Sequence, residues 1–123
     1  MSQQLVLVHW HASEATALAA ELSGAGWSVV VEDGSGTVKM RDLKVHPPLA
    51  VIISLRRLPS HGREWADALW YTKWGRQVPL LFVDGQDDKV TALRQRFPAA
   101  RFLTWLQLGE ELQRLTSQLA PGR

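Results

Sequence analysis

Short apolar runs alternate along the chain with amphipathic segments, and this alternation repeats five times. The runs have the length of strands and are rich in valine, leucine and isoleucine, whereas apolar residues in the intervening segments recur at helical spacing. The predicted strands are 5–8, 27–31, 49–53, 78–83 and 101–104. A helix is predicted from Pro59 to about Lys73, and three further helix faces are Ala15, Leu18, Ala19 and Leu22; Val90, Leu93 and Phe97; and Leu108, Leu112, Leu115 and Leu119.

Candidate capping residues mark the starts of two of these helices. Ser13 is placed to cap the first helix, and Asp87 or Asp88 is placed to cap the helix before Pro98. The segment 37–44 has the weakest pattern, although Val38 within it can face a core.

The third apolar run decides the fold class. Residues 49–53 are continuously apolar, which indicates a strand buried on both faces, as in a parallel sheet. Five strand–helix units with short connections place helices on both faces of that sheet, and right-handed crossovers favour the strand order 2-1-3-4-5. We therefore predict one α/β domain over residues 1–123, doubly wound and flavodoxin-like, with a frayed tail at 119–123.

Composition narrows the classes of function. The chain has 123 residues, a net charge of only +2 and no run of five like charges, so nucleic-acid binding is permitted but not indicated. It has no cysteine, which excludes disulfides, thiolate metal sites and cysteine nucleophiles. No apolar stretch is long enough to span a membrane, and the sequence predicts a cytoplasmic protein.

Ligands of this type of sheet bind at the carboxyl ends of the strands. The residues that follow the predicted strands are rich in polar and aromatic side chains. We take as candidates for this edge His9, Trp10, His11, Ser54, Arg57, His61, Asp84 and Trp105.

In element order and spacing the chain resembles the response-regulator receiver family over nearly its whole length. The most specific part is residues 49–69, LAVIISLRRLPSHGREWADAL, which looks like the third strand, the loop with its Leu-Pro step and glycine, and the third helix of that family. Residues 78–83, VPLLFV, resemble the fourth strand with its leading proline. The resemblance implies a signalling domain that works through protein contacts.

The departures from that family concern its chemistry. Receivers carry acidic residues after strand 1 that hold Mg²⁺, and here His9 and Trp10 stand in those places. Their phosphoacceptor aspartate ends strand 3, where the nearest residue here is Ser54, and their strand-5 lysine falls near Thr104 or Trp105. Phosphoryl transfer to a carboxylate needs that carboxylate and a divalent ion. We therefore expect a degenerate pseudo-receiver that is not an enzyme and has no cofactor.

Three alternative uses of the strand ends stay open. His9, His11, His61 and Asp84 could together hold a transition metal, although no two of these histidines have helical spacing. Ser54 with a histidine and Asp84 is a weaker Ser-His-Asp candidate, because the strained turn around such a serine is missing. A third possibility is an anion bound by Arg56, Arg57 and Arg63 near the start of the third helix. A small-molecule ligand, and with it an enzymatic role, therefore remains the rival hypothesis.

Six tryptophans are many for this length. Trp27 and Trp65 are expected in or near the core, whereas Trp10 and Trp105 could fill the space of the missing carboxylates and lysine. Trp70 and Trp74, four residues apart on the predicted third helix with Tyr71 beside them, are candidates for contact with a partner. The leading hypothesis is a module for protein–protein interaction, with a protein partner or a second copy of the chain, through these residues or through the face of the last two helices.

Overall fold

The structure is a computed structural model that describes residues 4–9, 11–32, 38–55 and 59–118, with the side chains of 12, 40, 59–63, 87 and 118 outside the description. Strands and helices alternate along it. They are β1 (Gln4–Val8), α1 (Ala12–Gly24), β2 (Ser28–Glu32), α2 (Met40–Val45), β3 (Ala50–Ser54), α3 (Pro59–Trp70), α4 (Lys73–Arg76), β4 (Leu80–Val83), α5 (Asp87–Arg96), β5 (Arg101–Leu103) and α6 (Trp105–Gln118).

The five strands form one parallel sheet in the order β2-β1-β3-β4-β5, which confirms the predicted flavodoxin-like topology. Every residue of β3, the central strand, is buried, as its continuous apolar run indicates. Alternate side chains of β1 and β3 enter two separate clusters, so each face of the sheet has its own core.

One core contains the apolar stripes of α1 and α6, including Leu18, Leu22, Leu108 and Leu112, together with Trp27. The other contains apolar residues of α2, α3 and α5, among them Leu43, Leu69 and Leu93, together with Phe97 just after α5. The predicted helix faces are therefore confirmed where they are described, and Leu119 lies outside the described residues. In the described part of the chain, no helix has both the length and the apolar character needed to cross a bilayer.

Two helix starts differ from the prediction. The cap of α1 is His11, whose Nδ1 accepts from the backbone N–H of Glu14 at 3.5 Å, and the Ser13 hydroxyl is hydrogen-bonded to the same Nδ1 at 3.0 Å. The cap of α5 is Gln86, which makes no side-chain capping bond, and Asp87 is already the first helical residue. In both helices the residue at the N-cap position is therefore not the serine or aspartate that would be the better cap.

The predicted helix from Pro59 to about Lys73 is wrong at its end, because α3 stops at Trp70 and a separate short helix follows. Thr72 makes the break: its hydroxyl donates to the Leu69 carbonyl at 3.0 Å and accepts from Gly75 N–H at 2.9 Å. The second bond caps α4 while the first closes α3. Glycine is required at position 75 because a Cβ there would overlap the Leu69 carbonyl and the Thr72 hydroxyl.

Candidate functional site

The carboxyl ends of β1, β2, β3 and β4 lie side by side, since Val8 is paired with Glu32 and Ile53, and Ser54 is paired with Val83. The sheet therefore brings His9, Ser54 and Asp84 to one edge. Trp10 and Arg57 lie outside the described residues, and so does the side chain of His61.

His9 is a buried residue of the loop that enters α1, with 1% of its surface exposed. Its Nδ1 accepts from the backbone N–H of His11 at 3.1 Å, so the proton of the neutral ring is on Nε2. That Nε2 lies 3.4 Å from Glu14 Oε1. His9 and Glu14 therefore tie the end of β1 to the first turn of α1.

The ends of β2 and β3 are also packed closely. Glu32 is 3% exposed, and its carboxylate accepts from the backbone N–H of Val38 at 3.1 Å, while its carbonyl accepts from His9 N–H at 3.0 Å. Ser54, the last residue of β3, is 6% exposed.

Asp84 has a specific structural task at the end of β4. Its backbone is left-handed, with φ of 58°, and its N–H donates to the Leu103 carbonyl at 3.0 Å. Its Oδ1 accepts from the backbone N–H of Trp105, the first residue of α6, at 2.9 Å. A carboxylate at a helix amino terminus is favoured by both the free N–H groups and the helix dipole. Asp84 thus connects β4 to the start of α6.

The start of α6 also has a capping interaction that was not predicted from the sequence. The Thr104 hydroxyl accepts from the backbone N–H of Gln107 at 3.3 Å, and Gln107 Oε1 accepts from Thr104 N–H at 2.9 Å. This reciprocal pair is a capping box, and its signature of threonine followed three residues later by glutamine is present in the sequence. Trp105 is half-buried against the core that α1 and α6 share.

The described carboxylates of this edge are therefore held in contacts that fix the backbone. No three imidazole or carboxylate side chains among the described residues come together as a metal would need. A hollow of about 190 Å³ opens between α5 and α6, lined in part by Asp84, Thr104, Gln107 and Arg94. It is smaller than the roughly 300–1,000 Å³ that is usual for small-molecule sites.

The aromatic candidates do not lie on one continuous helix, because Trp70 is the last residue of α3, Tyr71 follows it, and Trp74 belongs to α4. Tyr71 is 82% exposed, whereas Trp70 and Trp74 are half-buried against the core of α3 and α5. Trp70 meets Phe97 edge to face, with ring centroids 6.2 Å apart and planes at 86°. The break at Thr72 separates the two indoles, so the predicted shared helix face does not exist.

Comparison with known proteins identifies solved structures that have a similar fold. No protein-family model and no curated protein matches the sequence. Solved structures do match: full-length FixJ from B. japonicum has a TM-score of 0.68 at 18% identity, covering 98% of this chain and 61% of its own. An adenylate cyclase structure from Rhodopirellula baltica has a TM-score of 0.69 at 19% identity, over 96% of this chain and 90% of its own.

A third similar structure is the receiver domain of a sensor histidine kinase from Pseudomonas aeruginosa, which holds a magnesium ion in its active-site cleft. It has a TM-score of 0.63 at 20% identity, over 95% of this chain and 99% of its own. These likenesses show that the chain has the flavodoxin-like receiver fold. The chain spans about three fifths of the FixJ structure.

Proposed function

We propose that this chain is a receiver-fold signalling module that acts by protein–protein contact and is not phosphorylated on aspartate. The observation that carries the proposal is the use of the strand-end edge. Asp84 and the Thr104–Gln107 pair hold α6, Glu32 holds Val38, and His9 contacts Glu14. The polar side chains of this edge that could take part in a reaction therefore make contacts that stabilise the fold.

The chemistry of this edge supports the same conclusion. A phosphorylated receiver needs a carboxylate nucleophile and oxygen ligands for a divalent ion. Ser54 offers a hydroxyl in place of that carboxylate, and a hydroxyl becomes a good nucleophile only when a base takes its proton. His9 is held by the His11 N–H on Nδ1 and directed at Glu14 on Nε2. A signal that does not pass through aspartyl phosphate must then act by binding.

Intact mass after incubation with acetyl phosphate and Mg²⁺ tests this proposal. We expect no gain of a phosphoryl group. The matched variant Ser54→Asp restores the nucleophile alone, and it also stays unmodified because the carboxylates that hold magnesium are still missing; far-UV circular dichroism checks that it folds. A phosphorylated native chain would overturn the proposal, and a phosphorylated Ser54→Asp chain would show that the edge still binds the ion.

The partner in this proposal is another protein or a second copy of the chain. Size-exclusion chromatography with light scattering, over a range of protein concentrations, distinguishes these two. A dimer that Tyr71→Ser dissociates would assign self-association to the surface around Tyr71. A monomer at all concentrations would leave a different protein as the partner.

A further inference from the structure

The edge of the sheet where the strands begin has two adjoining hollows. The larger, of about 510 Å³, is lined by Pro47, Pro48, Trp74 and Leu115, and the smaller, of about 80 Å³, by Trp70 and Phe97 among others. The residues Gln77, Val78 and Pro79, which lead into β4, line both hollows. The two hollows therefore adjoin along these three residues, which form a ridge between them, and we refer to the two hollows together as the groove.

Each hollow has its own tryptophan, so the groove has an aromatic wall on either side of the ridge. Trp74 lines the larger hollow and Trp70 the smaller. Tyr71, 82% exposed, lies between them in the chain. Half-buried indoles beside a concave apolar surface are the type of residue that contributes most to protein contacts.

The structural elements around the smaller hollow are strongly basic. Lys73 and Arg76 belong to α4, Arg96 to the last turn of α5, and Arg101 begins β5. Two carboxylates balance part of this charge: Asp67 lies 2.7 Å from Arg96, and Glu111 lies 3.4 Å from Arg101. Within the described residues Lys73 and Arg76 form no ion pair, so α4 presents excess positive charge beside both hollows.

Two of these arginines lie against aromatic rings that line the smaller hollow. The guanidinium of Arg76 lies 5.3 Å from the Trp70 ring centroid, and that of Arg96 lies 5.7 Å from the Phe97 centroid. Arg76 Nε also donates to the Trp70 carbonyl at 2.6 Å. A stacked guanidinium keeps N–H groups at its edge for a carboxylate and loses little freedom on binding.

We propose that this groove binds an acidic polypeptide segment that inserts a large apolar side chain beside Trp74. The inference rests on the proposed function for its premise of protein contact and adds the site and the partner's chemistry. Apolar walls with a positive rim fit an apolar anchor flanked by aspartate or glutamate. A nucleic acid fits less well, because Arg76 covers a face of Trp70 that a base would need for stacking.

Three synthetic peptides of equal length test the groove. They share leucine and tryptophan at the same positions, and the remaining positions are aspartate and glutamate in the first, serine and glutamine in the second, and lysine in the third. We expect the acidic peptide to shift the indole N–H signals of Trp70 and Trp74 in amide NMR spectra, with an affinity that falls as salt is added. The neutral and basic peptides bind at least about tenfold more weakly.

Charge reversal supplies the matched comparison. The variant Lys73→Glu/Arg76→Glu is expected to weaken binding of the acidic peptide by about tenfold, since two exposed cations of α4 become repulsive. The control Arg41→Glu/Lys44→Glu reverses two exposed cations of α2 and leaves the affinity unchanged. Equal binding of the acidic and neutral peptides, no binding of either, or indole shifts caused by duplex DNA instead would each overturn the inference.

Repeating the titration with acetyl phosphate and Mg²⁺ separates this inference from the proposed function. The expected affinity is the same with and without the phosphoryl donor. If the acidic peptide binds only when the phosphoryl donor is present, the groove proposal stands, but the proposed function, which does not depend on phosphorylation, is refuted. If the acidic peptide binds in neither condition, the groove is not the binding site. The proposed function would then depend on another surface of the protein.

Discussion

Asp84 offers the sharpest test of the view that the strand-end carboxylates serve the fold. Its Oδ1 accepts from Trp105 N–H at 2.9 Å, and its backbone has a φ of 58°. The variants Asp84→Asn, Asp84→Gly and Asp84→Ala separate these two properties. Asparagine keeps an acceptor and tolerates the backbone, glycine keeps only the backbone freedom, and alanine keeps neither.

The expected losses follow from these properties. A hydrogen bond to a charged group contributes about 1.5–3 kcal/mol, and left-handed backbone costs an ordinary residue about 1–2 kcal/mol. We expect Asp84→Ala to lose about 2–4 kcal/mol of unfolding free energy, allowing for the strain already present with aspartate. Asp84→Gly recovers part of the strain and loses about 1 kcal/mol. Asp84→Asn loses only the charge at the helix terminus, about 0.5 kcal/mol.

Urea unfolding followed by tryptophan fluorescence measures this order. With a slope of about 1–3 kcal/mol per molar urea, the loss expected for Asp84→Ala moves the midpoint by about 1 M or more. If Asp84→Ala is as stable as the native chain, the Asp84 carboxylate does not stabilise the fold. Stability of Asp84→Ala equal to that of Asp84→Gly would instead remove the backbone part of the argument.

Three further predictions concern other parts of the fold. Gly75→Ala destabilises the chain by about 2 kcal/mol in urea unfolding, because its methyl overlaps the Leu69 carbonyl, whereas Gly109→Ala, with open space around it in α6, gains about 0.5–1 kcal/mol. Thr104→Ala opens the capping box of α6 and lowers unfolding free energy by about 1 kcal/mol, with Ser117→Ala, an exposed position late in the same helix, as the control. The hydrogen bond from Arg114, and then the charge of Arg101, holds the pKa of Glu111 below its ordinary 4.5. The folded chain therefore binds this proton less readily than the unfolded chain, so its stabilisation is full above pH 4.5 and is lost as the pH falls through the folded-state pKa. In urea titrations at several pH values, Glu111→Gln is expected to show a weaker decline below that pH, and an identical decline would contradict the assignment.

The fold was accessible from the sequence because the apolar pattern and the rules of parallel sheets act over whole segments. The continuous run of β3 and the leucine stripe of α6 are examples in which many residues agree. Helix ends depend on single contacts, and there the prediction was wrong: Thr72 ends one helix and caps the next, and His11 replaces Ser13 as the cap of α1.

The candidate edge was predicted as a place but not as a set of contacts. The sheet topology fixes that His9, Ser54 and Asp84 share one edge. The hydrogen bond between Asp84 and the start of α6 depends on the left-handed backbone of Asp84 and on the position of β4 relative to β5. Neither can be read from a pattern in the sequence. The threonine and glutamine of the α6 capping box did leave one, and it could have been recognised. The groove at the opposite edge joins residues from separate segments of the chain, which no local spacing reveals.

An amide NMR titration of the labelled chain with Mg²⁺ and beryllofluoride, a mimic of the phosphoryl group, shows whether the strand-end edge binds the ligands of a phosphorylated receiver. We expect the signals of His9, Ser54, Asp84 and Thr104 to stay where they are, with the chain as stable in urea as before. Localised shifts at these residues that saturate with the added ion and mimic would refute a module that works without aspartyl phosphate.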